Sequence, residues 1–377
     1  MAEMNAAPRR SRAKWIVIGI CVLLFAPLLI EGASSAWLFA SDIARFPAPP
    51  AANFRQAAYD SLLGWKGSPN LAIADNYGPG LTLTTNADGY RIHRPVTPAL
   101  APGERRVMCS GASFTWGSGV KDGDTFCALL ETELPGVRTI NVAQQGYGFD
   151  QTYLLYAREG ARYPHQLQIF VINGSDFERT ASTNLNGYPK PGLAVENGKL
   201  VPTHVPVAQW TGWSRWTEVP RLLPTLRLMQ FVKGRLHVTE ADQYKRVDAQ
   251  LWPVLDAMLR DLVRLNKEQG VVPVLVYLPT VEEFASTARD ERRLRLLNSA
   301  KDAGLAAIDL TPGLRELPAD SVAWMFLTPN AIPVRGHSGH YNATGHRWVA
   351  RQLASKLREL PAAAAVVAAP ALTPRSP

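Results

Sequence analysis

A serine and a group of histidines in this chain are of the types that act together as a nucleophile and its base. An apolar run ends at Ser110–Ser113 (Ser-Gly-Ala-Ser), a pattern that presents a hydroxyl at the carboxyl end of a strand. Far along the chain, the segment Gly336–Ala350 carries His337, His340 and His346 just before a strongly amphipathic stretch. Serine is a weak nucleophile unless an imidazole removes its proton and hydrogen-bond donors stabilise the oxyanion that forms. These residue types predict acyl-transfer chemistry, provided that the fold brings a histidine to the serine.

The same three histidines could instead bind a metal ion, since imidazole is a common zinc ligand. Their spacings of three and six residues fit no common zinc motif, and no acidic residue lies near them in the sequence. The three cysteines form no CxxC or Cys/His cluster. The sequence therefore predicts no metal site and no cofactor.

Short apolar runs alternate with helical patterns along the chain, and this alternation indicates βαβ units. The predicted fold class is α/β, with a mostly parallel central sheet. Active residues of such sheets lie at the carboxyl ends of the strands. Besides Ser113, two more predicted strand ends carry polar or glycine-rich sequence, at Gln144–Gly148 and at Asn173–Asp176. We expect the three ends to offer a hydroxyl, backbone amides and a side-chain amide on one rim.

The elements that must position these residues follow from apolar periodicity and turn signals. Strands are expected at residues 106–110, 138–143, 167–174, 271–279 and 306–310. Helices are expected at residues 125–134, 150–162, about 247–269, 289–303 and 343–360.

The N-terminal residues predict a connection to a membrane. Residues 1–14 are basic and precede an apolar stretch at 15–38, close to the ~20 residues that a spanning helix needs. A transmembrane anchor is favoured over a cleaved signal peptide, because the apolar stretch is longer than the core of a usual signal peptide. The basic flank should stay in the cytoplasm, so we expect a single-pass membrane protein with its globular domain on the periplasmic or extracytoplasmic side.

The composition argues against a nucleic-acid partner and suggests further boundaries. The formal net charge of +8 is scattered rather than clustered on one segment. A linker with an N-terminal extension is expected at 39–85, a globular domain at 86–360 and a disordered, low-complexity tail at 361–377.

An insertion at about 188–245 breaks the alternation of strands and helices, and it contains an Asn-Gly hairpin signal. It also carries Trp210, Trp213 and Trp216, which either form a surface for sugars or the membrane interface, or pack on the main domain. Packing is the favoured interpretation. Elsewhere, Cys109 and Cys127 could pair in an oxidising compartment, but two buried free thiols are favoured.

Five segments follow one another along the chain in a distinctive order. They are NADGYRIHRP, GASFTWGSGVKDGDTFCALLETEL, NVAQQGYGFDQ, VINGSDF and HYNATGHRWVA. As an ordered set, they resemble the SGNH (GDSL-like) hydrolase superfamily, particularly its membrane-anchored members from the bacterial envelope. The resemblance spans about Asn86 to Leu357, and it implies a three-layer SGNH-type fold with a hairpin and helical insertion.

The resemblance also implies residue roles. Ser113 would be the nucleophile and would donate its backbone amide to the oxyanion hole. Gly146 would supply a second amide, and Asn173 a side-chain amide. His340 would be the general base.

Two departures from the family pattern bear on activity. Ala112 stands where the family usually has aspartate, and the acid that normally precedes the base by two or three residues is replaced by Ser338 and His337. Loss of the orienting acid lowers the activity of serine proteases by about four orders of magnitude. A Ser-His dyad would therefore need support from Ser338, a backbone carbonyl or a carboxylate such as Asp176.

The resemblance predicts an exported, membrane-tethered serine esterase or O-acyltransferase. Its substrate would be an acylated small molecule or polysaccharide, with the acyl groups of envelope glycans favoured. The alternative is a catalytically inactive protein of the same fold that binds glycans or assists envelope assembly, as the missing acid suggests.

Overall fold

The structure, a computed structural model, describes residues 10–45, 56–185, 188–209, 240–329, 331–332 and 337–368. The chain divides into two compact units, one formed by Met1–Ala48 with Thr211–Arg246 and the other by Pro49–Trp210 with Val247–Pro377. Trp210, Trp213 and Trp216 lie outside the described residues, so the predictions about them stay predictions.

The first unit contains a long apolar helix, α1 (Arg10–Arg45). Its stretch Lys14–Trp37, 24 residues, is long and apolar enough to cross a membrane. A spanning helix needs about 20 such residues. By length and composition this helix fits a membrane anchor and a signal sequence alike.

The second unit begins, in the described part of the chain, with a folded segment that precedes the predicted domain start at residue 86. Strands β1 (Ala57–Asp60) and β2 (Gly64–Gly67) pair antiparallel, as do β3 (Ala72–Ile73) and β4 (Leu83–Thr84). Leu63, Tyr77 and Leu83 are fully buried. These residues add apolar surface to the domain, so part of the expected linker and extension belongs to the folded core.

The central sheet has five parallel strands, which are β5 (Arg105–Ser110), β6 (Val137–Asn141), β7 (Leu167–Ile172), β12 (Val272–Tyr277) and β13 (Ala306–Asp309). Their order in the sheet is β13-β12-β7-β5-β6. Every residue of β5 and β7 is buried. Helices on both faces of a parallel sheet bury its strands in this way. The predicted α/β class with a parallel sheet is confirmed.

Helices cover both faces of this sheet. In chain order they are α2 (Ser113–Trp116), α3 (Phe126–Glu133), α4 (Phe149–Glu159), α5 (Asp176–Thr180), α6 (Glu240–Glu268), α7 (Val281–Ala285), α8 (Asp290–Asp302), α9 (Thr311–Arg315), α10 (Ala319–Ala323), α11 (Ala343–Glu359) and α12 (Pro361–Val367). One apolar cluster joins the sheet to α3, α11 and α12, and a second joins it to α4, α6 and α8. The three-layer arrangement is that of the predicted fold.

The prediction of a disordered tail from residue 361 is wrong for residues 361–367. They form α12, in which Ala363 and Val367 are buried in the first apolar cluster. Arg105 Nη1 also donates hydrogen bonds to the carbonyls of Val366 and Val367, at 2.9 and 3.1 Å. Four-residue spacing places both apolar side chains on one face of the helix. Residues 369–377 lie outside the described part of the chain.

The described part of the insertion contains short antiparallel pairs. Strands β8 (Asn184–Leu185) and β9 (Tyr188–Pro189) form one pair, and β10 (Gly192–Glu196) and β11 (Lys199–Thr203) form a hairpin. Asn197 and Gly198 both have positive φ, 50° and 76°. Two successive residues in this region are typical of the turn that the Asn-Gly sequence predicted.

Cys109 and Cys127 form a disulfide bond. The favoured expectation of two free thiols is therefore wrong. The bond joins β5, the strand that leads to Ser113, to α3, and it encloses a chain segment with a separation of 18 residues. A pairing of this kind depends on how closely the sheet and helix approach, which sequence spacing alone does not reveal.

Candidate active site

The carboxyl ends of three adjacent strands form the rim on which the site is built. Because β5 lies between β6 and β7, the segments that follow these strands meet at one edge. At Gly111, a Cβ atom would lie 2.9 Å from the carbonyl oxygen of Val171 in β7 and 2.3 Å from Thr115 Oγ1. Glycine is therefore required where the chain leaves β5, and the close approach sets the direction of the turn to Ser113.

Ser113 is the first residue of the short helix α2. Trp116 N donates to the Ala112 carbonyl at 2.8 Å, and Gly117 N donates to the Ser113 carbonyl at 3.0 Å. Gly117 has φ of 85° and ends the helix in the left-handed conformation that favours glycine. The turn therefore presents the serine side chain at the start of a helix, on the rim of the sheet.

The structure brings His340 to Ser113, although the two residues are 227 positions apart. Their Nε2 and Oγ atoms lie 2.8 Å apart. The imidazole also stacks on Phe114, with ring centroids 4.4 Å apart and an interplanar angle of 22°. Asn342 caps α11 just after the histidine by accepting hydrogen bonds from Thr344 N and Gly345 N. The histidine is thus held by the residue beside the serine and by the start of α11.

The second ring nitrogen of His340 contacts a backbone carbonyl. His340 Nδ1 lies 3.1 Å from the carbonyl oxygen of His337. Because a carbonyl only accepts hydrogen bonds, Nδ1 carries the proton and donates. Nε2 is therefore unprotonated and can accept the proton of the Ser113 hydroxyl. The group at Nδ1 is thus a main-chain carbonyl, which fixes the orientation of the ring and carries no negative charge.

The surroundings of His340 oppose a positive charge on the ring. Burial, the neighbouring His337 ring and the Arg179 guanidinium lower the pKa of His340 to about 3, against weaker opposite effects of the His337 and Ser338 backbone. The His337 and His340 ring centroids are 5.4 Å apart. The imidazole is consequently neutral at physiological pH and can accept a proton, but a positive charge on the ring would be poorly stabilised.

Gly146 follows β6, in a segment that is hydrogen-bonded to the turn that carries Ser113. Gln144 N donates to the Gly111 carbonyl at 3.1 Å, and Trp65 Nε1 donates to the Gln145 carbonyl at 2.8 Å. Gly146 has φ of 76°, and a Cβ atom there would lie 2.5 Å from Leu185 Cδ2. Only glycine suits this backbone conformation and space. Its N–H has no backbone partner in the described part of the chain.

Asn173 lies at the end of β7 and is buried. Its Oδ1 accepts from Ser175 N at 2.9 Å and from Ser175 Oγ at 2.6 Å. These bonds orient the side chain so that Nδ2 faces away from them. Among the described residues, Nδ2 has no hydrogen-bond partner, so this amide donor is available to a ligand.

The two predicted supporting residues do not contact the imidazole with their side chains. The Asp176 carboxylate accepts from Asn173 N at 3.0 Å and pairs with Arg179 Nη1 at 3.0 Å. Burial raises the pKa of Asp176 to about 6. Ser338 is exposed, and its hydroxyl has no hydrogen-bond partner in the described ranges. The Asp176 carboxylate therefore holds the end of β7. The group that contacts His340 Nδ1 is the His337 carbonyl, and not the side chain of Asp176 or Ser338.

Sequence reasoning missed Arg91, which lies in the NADGYR segment but was given no role. Its buried guanidinium donates to the carbonyls of Trp116, Gly117 and Val120 at 2.9, 2.5 and 2.6 Å. Its Nε donates to Asp122 Oδ1 at 2.8 Å. Arg91 therefore holds the C-terminal end of the turn that carries Ser113. The available signal was its place in a segment that resembles the family's lead-in to the nucleophile.

His346 has a structural contact rather than a place beside Ser113. Its Nδ1 accepts from Phe126 N at 3.1 Å, and the ring is buried. In the described ranges, no group of three or more His, Cys, Asp or Glu side chains is placed to hold a metal ion.

Comparison with known proteins gives similarity in structure but not in sequence. No family model and no curated protein matches the chain. A member of the lipolytic G-D-S-L family from Veillonella parvula has 12% identity and a TM-score of 0.37, covering 68% of this chain and 100% of its own. A lipase/acylhydrolase from Enterococcus faecalis has 12% identity and a TM-score of 0.36, covering 68% and 96%. A catalytic mutant of an acetylxylan esterase from Geobacillus stearothermophilus has 12% identity and a TM-score of 0.37, covering 67% and 94%.

Identities of 12% and TM-scores of 0.36 to 0.37 carry no argument about function. Function must therefore be inferred from the side chains of the site. The chain is similar in structure to lipolytic hydrolases of the SGNH/GDSL type and to acetylxylan esterases.

Proposed function

We propose that this protein is an exported, membrane-tethered serine esterase or O-acyltransferase that uses a Ser113–His340 dyad. The observation that carries the proposal is the 2.8 Å contact between Ser113 Oγ and His340 Nε2. It is reinforced by the hydrogen bond from Nδ1 to the His337 carbonyl, which leaves Nε2 free to accept a proton. A hydroxyl paired with a neutral, oriented imidazole is the arrangement that activates serine toward an ester carbonyl.

In the proposed reaction, Ser113 Oγ attacks the ester carbonyl carbon while its proton moves to His340 Nε2. The oxyanion of the tetrahedral intermediate accepts hydrogen bonds from the backbone amides of Ser113 and Gly146 and from Asn173 Nδ2. Collapse of the intermediate breaks the bond to the alcohol, which leaves with the proton from Nε2. Water or a sugar hydroxyl then gives its proton to Nε2 and attacks the acyl carbonyl carbon. The bond from that carbon to Ser113 Oγ breaks, and Oγ takes the proton back from Nε2, which restores the dyad.

The proposed substrate and location follow from the chain as a whole. The apolar span Lys14–Trp37 after a basic segment supports anchoring with the catalytic domain on the extracytoplasmic side. An enzyme held there meets envelope polysaccharides, so we assign it to ester-linked acyl groups of glycans or smaller acylated molecules. Transfer to a sugar hydroxyl and transfer to water differ only in the acceptor.

Labelling with a fluorescent fluorophosphonate tests the dyad. The wild-type chain should form a covalent adduct, and Ser113→Ala should form none. His340→Gln should lower the labelling rate by two or more orders of magnitude, since general-base catalysis contributes about 10²–10⁴-fold. Ser355→Ala is the matched control, because Ser355 is exposed and its hydroxyl donates to Glu359 Oε1 at 3.3 Å. Equal labelling of wild type and Ser113→Ala would contradict the proposal.

A second candidate function is an inactive glycan-binding or envelope-assembly protein of the same fold. The observation that favours it is the carbonyl in place of a carboxylate at His340 Nδ1, with Arg179 and His337 opposing the imidazolium. Absence of fluorophosphonate labelling in folded wild-type protein, together with glycan binding that Ser113→Ala leaves unchanged, would favour this candidate.

A further inference from the structure

Tyr77 is a buried tyrosine in the segment that joins β3 to β4, outside the sheet that carries the dyad. Its side chain is 0% exposed. Burial raises the pKa of the phenol, and this effect exceeds the lowering by the Arg91 guanidinium and by Trp116 and Ser118. The hydroxyl therefore stays protonated and neutral. Packing alone does not require it, because phenylalanine would fill nearly the same volume.

The hydroxyl of Tyr77 joins two segments of the candidate site. It accepts a hydrogen bond from Trp116 Nε1 at 3.2 Å, on the helix that Ser113 begins. It also accepts one from Gln145 Nε2 at 3.0 Å, on the residue that precedes Gly146. The Tyr77 hydroxyl oxygen thus accepts hydrogen bonds from two segments: the turn that carries Ser113, the proposed nucleophile, and the segment that carries Gly146, the proposed oxyanion donor.

The ring of Tyr77 reaches the segment that carries the base. It packs edge to face against His337, with centroids 5.7 Å apart and an interplanar angle of 60°. The carbonyl of His337 is the group that orients His340. The Arg91 guanidinium also lies 5.7 Å from the Tyr77 ring centroid. The same side chain therefore contacts all three segments that supply the proposed nucleophile, oxyanion donor and base.

We propose that Tyr77 is a positioning residue that holds these three segments in their reactive arrangement. This inference rests on the proposed function, because it concerns the same dyad. The three segments come from separate parts of the chain, and small displacements between reacting groups are costly: a shift of 1 Å can lower a rate by about 100-fold. The extension before the predicted domain start is then part of the catalytic apparatus.

The test compares Tyr77→Phe with wild type in the hydrolysis of 4-nitrophenyl acetate and in fluorophosphonate labelling. The expected result is a fall in kcat and in the labelling rate of about 10- to 100-fold, with KM changed less than about twofold. Tyr90→Phe is the matched control, because Tyr90, which follows β4, is also buried but its hydroxyl contacts Glu159. It should lower the unfolding temperature comparably and leave kcat within about twofold of wild type.

A double-mutant cycle with Gln145→Met separates positioning from a general loss of stability. If Tyr77 acts through Gln145, the two substitutions should not have independent effects on kcat. The fold-loss of kcat in the double variant should then be at least about fivefold smaller than the product of the two single fold-losses. Multiplicative losses, or a Tyr77→Phe rate within twofold of wild type, would overturn the proposal. If Tyr77→Phe does not fold, Gln145→Met removes the same hydrogen bond from its other side, and an unchanged rate there would overturn it.

The two proposals fail in different ways. Unlabelled wild-type protein defeats the proposed function and, with it, the role of Tyr77. Labelled wild-type protein with a fully active Tyr77→Phe variant defeats only the role of Tyr77.

Discussion

The pH dependence of Ser113 labelling tests the electrostatics of the dyad directly. Burial, His337 and Arg179 lower the pKa of His340 to about 3. The base should therefore stay neutral throughout the range from pH 8 to pH 5.5. We expect the labelling rate to be flat across this range, with no loss centred near pH 6.5.

The expected change in labelling rate between pH 8 and pH 5.5 depends on whether His340 has the ordinary pKa of imidazole or the lowered one. An imidazole with its ordinary pKa of about 6.5 would be neutral in only about 9% of molecules at pH 5.5, so the rate would fall about tenfold. With a pKa of about 3, more than 99% of His340 remains neutral at that pH. The shift corresponds to about 5 kcal/mol that opposes protonation of the folded protein.

Folding must be followed in the same experiment, because buried neutral histidines make the protein sensitive to acid. Burial lowers the pKa of His165 to about 4 and that of His346 to about 3. The unfolded chain binds these protons below about pH 6.5, and the folded chain does not. Stability is therefore fully present above pH 6.5 and is lost as the pH falls toward 3–4. At pH 5.5, His165, His340 and His346 together lower the free energy of unfolding by about 4 kcal/mol relative to its value at high pH.

The assay is the second-order rate of fluorophosphonate labelling, with Ser113→Ala as the background and circular dichroism at each pH. Rates are compared only where the ellipticity equals that at pH 8. A titration with a midpoint near pH 6.5 in fully folded protein would refute the reasoning, since it would require an imidazole that is solvated or paired with an anion.

Two further predictions concern the elements that support the nucleophile. Arg91→Met should lower the free energy of unfolding by about 3–5 kcal/mol in a urea titration, because it leaves Asp122 without its buried cation; a loss below 1 kcal/mol would contradict this role. Reduction of the Cys109–Cys127 bond should lower the free energy of unfolding by about 3 kcal/mol, the loop-closure value for a separation of 18 residues. Cys21→Ser is the control, since Cys21 is free, and the same response to reductant should persist in that variant.

Several features of the fold were predictable because they depend on local pattern. Short apolar runs bounded by turn signals predicted the five parallel strands, and residues 167–172 and 272–277 fall within the predicted limits. Helix α11 lies within one residue of its prediction, because its apolar face recurs at helical spacing and Asn342 supplies the cap. The tail was misjudged because an alanine-rich composition resembles a disordered segment unless its apolar side chains find a surface to pack on.

In the candidate site, too, some residues were predictable from the sequence and others were not. Ser113 and His340 were predicted from ordered motifs, and the structure brings them into contact. Asp176 and Ser338 were considered as support for the histidine, yet the group at Nδ1 is the His337 carbonyl. A backbone carbonyl exists at every residue and leaves no trace in a sequence, so no motif could have identified it.

The sequence by itself determined the residue types of the dyad, the parallel α/β order and the apolar N-terminal segment, because each is written in local composition or periodicity. Only the tertiary structure decided which groups meet: the carbonyl behind His340, the bond between the two cysteines, and the contacts of Tyr77 and Arg91. These depend on approaches of a few ångströms between segments far apart in the chain. Such approaches are set by the packing of the whole domain, and no local pattern encodes them.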